Sequence, residues 1–201
     1  MASTMVAMKD ISELRQRTGA GVSDCKKALE ESQGDMNKAM ELLRKKGIAK
    51  AEKRAGRSAS QGLVVSYIHH NGQVGVLVEL NSETDFVART DGFKELAKEI
   101  ALHIAMADPI AVSAEDIPAE VIERERRIAE EQVAAEGKPE AVRAKIVEGK
   151  IRKFLEERVL MDQKFVKDET RTVGQLVKEV SGKVGEAVAV RRFARFKIGE
   201  A

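Results

Sequence analysis

Apolar residues along this chain follow two different periods, and the change of period divides it. Met36, Ala39, Met40 and Leu43 stand at i, i+3, i+4 and i+7, which is one stripe on a helix. Cys25, Ala28 and Leu29 share a face just upstream. Residues 10–47 therefore read as three short helices. Asp10, with Glu13 three positions on, makes a capping-box-like start for the first. Thr18-Gly19-Ala20-Gly21 breaks it, because two glycines permit a tight turn at positive φ. Ser23 is placed to cap the second helix, Gly34-Asp35 opens the third, and Gly47 stands where a C′ glycine would stop it. Nothing before Lys9 looks structural, so residues 1–9 are expected to form a disordered start. Residues 48–61, polar and Ala-rich, follow as a basic linker.

From Gly62 the period falls to two. Residues 63–68 and 74–80 are β-rich runs joined through Asn71-Gly72, a strong hairpin signal. Val65, Tyr67 and His69 alternate with Ser66, Ile68 and His70, so one face is packed and the other partly wet. Helical spacing returns in Phe93, Leu96, Ala97, Ile100, Ala101 and Ile104, up to Asp108-Pro109. Residues 117–160 are charge-dense and helical, with Pro118 in a first turn and with Gly137-Lys138-Pro139 and Gly149 as divisions. There, Glu123 to Arg127 read as a solvated face. Thr172 caps a last helix carrying Val173, Leu176, Val177 and Val180. A closing strand, residues 187–198, puts Val188, Val190, Ala194, Phe196 and Ile198 on one parity. Arg192 interrupts that set and Phe193 sits on the other, so either a bulge or two-sided burial is expected. Residues 62–201 thus read as an α+β core: a small, about three-stranded antiparallel sheet packed with helices.

Composition narrows the picture. Aromatics are 3% of 201 residues and Trp is absent, so the core is aliphatic, with Met. A net charge of +2 argues against strong whole-protein attraction to nucleic acid. Residues 1–60 nevertheless hold 13 Lys and Arg against 8 Asp and Glu. The excess peaks at Arg44, Lys45, Lys46, Lys50, Lys53, Arg54 and Arg57, among which Glu52 is the single acid. This stretch, 44–57, is either a solvated helix end and linker or a patch for an acidic protein face, RNA or the ribosome. Cys25 is the one cysteine, so no intramolecular disulfide forms and a cytoplasmic location is expected. No apolar run approaches the roughly 18 residues of a membrane span, and the start lacks a signal peptide's apolar core.

Catalytic signatures are missing. There is no phosphate loop: Lys183 follows Gly182, but Val184 stands where a hydroxyl would hold Mg²⁺. Three histidines and one cysteine make no metal-ligand spacing. His69-His70 reads as a surface pair, His103 as a hydrogen-bonded packing residue rather than a general base. Neither an enzyme nor a cofactor is expected.

The stretch Asn81-Ser82-Glu83-Thr84-Asp85-Phe86-Val87-Ala88-Arg89 lies between strand and helix. An aromatic beside an acid on such a connection is a plug for its own core or a wedge offered to a partner. The T-D-F-V-A run occurs together with L-R-Q-R-T-G-A-G-V-S-D-C-K-K-A-L at residues 14–29. Further runs follow in order: Gly137-Lys138-Pro139, then V-L-M-D-Q-K-F-V-K-D at 159–168, then Arg192-Phe193-Ala194-Arg195-Phe196. Together they resemble the bacterial elongation factor Ts family, exchange factors that make elongation factor Tu release GDP. The match is closest to the short form, with one core subdomain; the chain is too short for the long form's second core subdomain and protruding coiled coil together.

The resemblance carries several implications. Residues 10–47, which look like a ubiquitin-associated (UBA-like) three-helix domain, would dock on the GTPase domain of GDP-bound elongation factor Tu. Arg15, Val22 and Ser23 hold the contact positions there. Thr84, Asp85, Phe86 and Val87 match the loop that intrudes beside the partner's Mg²⁺ and nucleotide site. The short form implies a homodimer through residues 62–201, by exposed strand or helix surface, with a Cys25–Cys25 link left open. Neither membrane nor direct nucleic-acid contact is implied. Ser23 replaces a bulky apolar residue common in the family. Lys164 replaces the usual Pro before Phe165, which would loosen that loop. Ser82 stands at a position often held by Cys.

Overall fold

A computed structural model describes residues 6–137 and 139–200. Helices α1 (Met8–Thr18), α2 (Val22–Glu31) and α3 (Met36–Glu52) come first. Strands β1 (Gln61–Ile68) and β2 (Val74–Ser82) follow, then the short α4 (Asp85–Ala88) and α5 (Asp91–Ala107). A single 3-10 turn, Ala114–Asp116, precedes α6 (Ala119–Ala135) and α7 (Glu140–Arg158). Next come β3 (Lys164–Phe165), β4 (Asp168–Thr172), α8 (Val173–Val184) and β5 (Val188–Lys197). The result is α+β, with a three-stranded sheet in the order β1-β2-β5 and a separate antiparallel pair, β3-β4. The chain forms two compact units. One holds the chain up to Leu63, Asn81–Leu96 and Val177–Ala189; the other holds Val64–Leu80, Ala97–Leu176 and the chain from Val190 onward.

In the first unit, Ile11, Leu14, Cys25, Ala28, Leu29, Ala39 and Leu43 make one buried cluster, with Met36 and Met40 packed against it. The helix ends depart from the sequence expectation. The first helix begins at Met8, two residues before the expected Asp10 cap, and Ala7 caps it without a side-chain bond. Gly19 takes the left-handed C-cap at φ 69, as a tight turn requires. Gly21, at φ −63, has no such need and is itself the N-cap of α2. Ser23 therefore lies inside the helix, two residues past the cap position. Asp35 caps α3 as expected, accepting from the Lys38 N–H at 3.0 Å.

The third helix does not stop at Gly47. It continues to Glu52, through the first five residues of the expected linker. The reason is a close approach rather than a turn: a Cβ on Gly182 of α8 would lie 2.7 Å from the Gly47 carbonyl oxygen. The requirement falls on Gly182, since a Cβ on Gly47 would meet the Gly182 Cα only at 3.9 Å, an ordinary contact.

In the second unit, α6 and α7 fold back on each other over Ala129, Val133, Val147 and Ile151. Gly137 turns the chain between them at φ 67; Lys138 lies outside the described residues. Gly149 sits inside α7 and divides nothing, contrary to the sequence reading. Lys164 pairs with Thr172 in β3-β4, so the expected loosening there meets a hydrogen-bonded strand instead. Thr172 caps α8 by accepting from the Gln175 N–H at 3.1 Å, and Gln175 accepts in return from the Thr172 N–H at 2.9 Å.

His103 is buried on α5. Its Nδ1 accepts from the Val166 N–H at 3.3 Å, so Nε2 carries the proton and donates to Gln163 Oε1 at 2.9 Å. The Gln163 amide then donates to the carbonyls of Ala107 at 3.1 Å and Glu157 at 2.7 Å. This neutral network closes the end of α5 over the strand that follows α7. It is the packing role expected of His103.

Strand β5 changes face partway. Val190 is buried, but further along Phe193 and Arg195 are the covered residues, while Phe196 is 69% and Ile198 75% exposed. The expected even-numbered set therefore does not share one buried side. On β1 the covered positions are Leu63, Val65 and Tyr67, continued by His69 just past its end, and Val64 and Ile68 face outward. Phe196, Ile198, Ile68 and Leu77 line one apolar surface, on which Ile68 Cδ1 lies 3.0 Å from the Cβ position of Gly75.

Two predictions follow from this packing. Gly182→Ala should destabilise the protein by roughly 1–3 kcal/mol, since backbone must move to admit the methyl. Gly149→Ala, with nothing within 4 Å of its Cβ, should stabilise by about 0.5–1 kcal/mol; urea unfolding of both compares them directly. Burial pushes the His103 imidazole below its ordinary 6.5, with the Gln163 hydrogen bond opposing. The unfolded chain then binds the proton more readily than the folded one. This contribution to stability is complete above about pH 6.5 and is lost as pH falls below it. Thermal melts between pH 7 and 5 should show a smaller decline for His103→Gln than for wild type, from a lower starting point.

Candidate functional site

The connection from β2 to α5 is built by side chains that satisfy its own backbone. Thr84 is the N-cap of α4, with extended φ −124 and ψ 157, and its Oγ1 accepts from the Val87 N–H at 3.5 Å. Ser82 is fully buried and donates from Oγ to the Thr84 carbonyl at 2.8 Å. Thr90 donates from Oγ1 to the Val87 carbonyl at 2.8 Å and closes the far end of the turn. Four residues of helix are too few to persist alone. These bonds fix them.

On this turn Ala88 points inward and is buried, whereas Phe86 is 78% exposed. Of the two sequence alternatives, plug or wedge, the structure takes the exposed one. Asp85 is half-buried and pairs with Arg89 at 2.7 Å, one helical turn on. Thr84 and Val87 are also half-buried. The ring therefore projects from a backbone whose neighbours face inward or are tied down.

A second connection, between α8 and β5, holds this turn. The two oxygens of the Glu186 carboxylate accept from the Thr84 N–H at 3.0 Å and from the Thr84 hydroxyl at 2.7 Å. In return Glu83 Oε1 accepts from the Ala187 N–H at 2.7 Å, and Arg57 lies 3.6 Å from the same oxygen. Ser181 donates from Oγ to the Glu186 carbonyl at 2.5 Å. Glu186 did not emerge from the sequence. It stands more than a hundred residues from its partner, among 33 acids, with no local motif.

Arg15, Val22 and Ser23 gather around the Gly19 turn, and all three side chains are exposed. Thr18 Oγ1 accepts from the Ala20 N–H at 3.3 Å, which stiffens the turn. Beside it lies a cavity of about 250 Å³, lined by Arg17, Asp24, Met40, Gly47, Lys50 and Lys183 among others. Lys50 donates to Asp24 at 2.9 Å and holds that carboxyl below its usual range. Cys25 is buried and its thiol points to the Ala20 carbonyl at 3.6 Å, so the open Cys25–Cys25 link has no accessible sulfur to use.

The basic stretch 44–57 looks different in three dimensions. Arg44 faces Glu179, Lys45 faces Glu41, Lys46 faces Glu31, Lys50 faces Asp24 and Arg57 faces Glu83. A local count found one acid because most of these acids are distant in sequence. Among the described residues, no group of three or more His, Cys, Asp or Glu is arranged to hold a metal ion. Among them too, no helix is long and apolar enough to cross a membrane.

Fold and turn together define an α+β protein with an N-terminal three-helix bundle and an exposed ring on a short, braced turn. The particular family follows from comparison. The family model "Elongation factor TS" matches residues 2–200. An elongation factor Ts from Thermosipho melanesiensis is 54% identical over 98% of this chain and 100% of its own length. One from Thermotoga maritima is 53% identical over 97% of each, and one from Moorella thermoacetica is 52% identical over 98% of this chain and 97% of its own. The chain belongs to the elongation factor Ts family. Membership implies nucleotide exchange on elongation factor Tu in translation elongation.

Proposed function

We propose that this protein binds GDP-bound elongation factor Tu in the cytoplasm and promotes GDP release by driving Phe86, with Asp85 beside it, next to the partner's Mg²⁺ and nucleotide site. GTP then rebinds. The observation that carries this reading is the exposure of Phe86, 78%, on a turn held by the side chains of Ser82, Thr84 and Thr90. Leaving such a ring in water is unfavourable, and a chain with 3% aromatics has few to spare. Entry between partner helices returns that free energy and shifts the elements that hold Mg²⁺. Loss of the ion removes the charge that neutralises the phosphates. Linkage makes the effect mutual: whatever factor this protein takes from GDP affinity, GDP takes from its own. No bond is made or broken.

Residues 10–47 act in this reading as a separate docking module, with Arg15, Val22 and Ser23 at the contact. Ser23 supplies a hydroxyl rather than apolar bulk, so Val22 carries the apolar part. Residues 62–201 act as the core in this reading, and residues 53–61, beyond the end of α3, join the two. The ion pairs along 44–57 favour an internal use of those charges over RNA or ribosome binding.

The core also supports a homodimer. Phe196, Ile198, Ile68 and Leu77 form a contiguous exposed apolar face on an antiparallel sheet, of the kind proteins usually cover. A second copy offers the same face, and self-complementary patches close a two-fold pair.

Stopped-flow release of a fluorescent GDP analogue from elongation factor Tu tests the activity. Release should accelerate with concentration and saturate, and Phe86→Ala should lower the plateau by about 10- to 100-fold, the equivalent of roughly 1.4–3 kcal/mol. A folded Phe86→Ala protein with the wild-type plateau would remove Phe86 from the mechanism. Light scattering should give twice the chain mass of 22.1 kDa for wild type and a single mass for Phe196→Asp; a concentration-independent 22.1 kDa for wild type would end the dimer proposal.

A further inference from the structure

The Phe86 turn is held from outside its own sequence, and the way it is held suggests what the holding is for. Two connections face each other: residues 82–84 at the end of β2, and residues 186–187 at the start of β5. Each sends a glutamate to the other's backbone. Glu186 takes both the N–H and the hydroxyl of Thr84, at 3.0 and 2.7 Å. Glu83 takes the Ala187 N–H at 2.7 Å. Arg57, 3.6 Å from Glu83, offsets part of the negative charge that the two carboxylates concentrate there. Ser181 fixes the Glu186 main chain by donating to its carbonyl at 2.5 Å.

Folding alone does not call for this arrangement. One acceptor would satisfy the half-buried Thr84 N–H, and its hydroxyl needs no protein partner. A charged carboxylate bonded twice to one residue is instead among the stronger neutral-to-charged contacts available. Thr84 is also the N-cap of α4, so the residue that Glu186 grips is the one that sets the start of the Phe86 turn. With Thr84 Oγ1 donating to Glu186, its lone pairs remain free for the Val87 N–H, and a single hydroxyl passes the constraint on to the next turn.

We propose that Glu186 is a positioning residue for the wedge, with Glu83 completing a reciprocal clamp that keeps Phe86 at a fixed angle before any partner arrives. This rests on the reading that Phe86 is the group that acts on the nucleotide site. The clamp prepays the ordering of the turn, so that ring insertion does not have to. Its loss should therefore weaken the inserted state and leave the first encounter, made by the N-terminal helices, largely intact.

A double-mutant cycle on GDP release separates these roles. E186A should lower the saturating release rate about tenfold while the half-saturating concentration changes less than threefold. E186Q keeps one acceptor for the Thr84 N–H and an amide that can donate to its hydroxyl, and should recover most of the rate. In an F86A background, E186A should add no further loss, because there is no ring left to position. Should E186A fail to fold by circular dichroism, the same cycle is run with E186Q, where a two- to threefold loss in the wild-type background and none in F86A is expected. Equal losses in both backgrounds, or no loss from E186A where F86A is slow, would overturn the clamp and leave the wedge standing. An F86A protein as fast as wild type would overturn the wedge itself, and the clamp's role with it.

Discussion

The exchange of carboxylates between Glu83 and Glu186 is the interaction on which the connection from β2 to α5 depends. Irregular connections carry backbone donors without ladder partners, and buried ones must be answered. Here two connections answer each other, over a separation of 102 residues for the Thr84–Glu186 bond. A turn of four residues gains a defined start and an exposed ring gains a defined direction. Neither would arise from local propensity, since a helix so short has no stability of its own.

A second constraint is the meeting of Gly47 and Gly182. It is made on the side of α3, which runs through Gly47 to a length of 17 residues. A glycine inside a helix costs about 1 kcal/mol relative to alanine. The cost is offset where the missing side chain admits another backbone. Gly182, whose pairing with Lys183 has a faint likeness to a phosphate loop in sequence, is explained by this close approach.

The sequence made the periodic parts of the fold legible. The stripe from Phe93 to Ile104 is buried at every position, and the three-helix cluster contains each residue expected of it. Asp35 and Thr172 were recognisable as caps because their partners lie three residues away. What was not legible is what depends on distant residues. Gly47 resembled a stop because a C′ glycine and a packing glycine are identical in one dimension. Arg44 to Arg57 resembled a basic patch because most of the acids that meet it come from other helices. Strand β5 kept an even-numbered apolar set on paper, but its covered side shifts between Val190 and Phe193. The candidate site divides the same way. Phe86 and Asp85 stood out through their motif, whereas whether the ring faced inward or outward was a tertiary question, and Glu186 left no trace.

Cys25 has a consequence of a different kind. It is the one thiol in the chain and lies wholly within the cluster of the first three helices. No reagent reaches it unless those helices part. Its rate of chemical labelling in the intact protein is therefore a clock for that local opening, undisturbed by signals from the rest of the molecule. The three-helix bundle thus has a natural reporter of its own breathing, with no label to introduce and no residue to change.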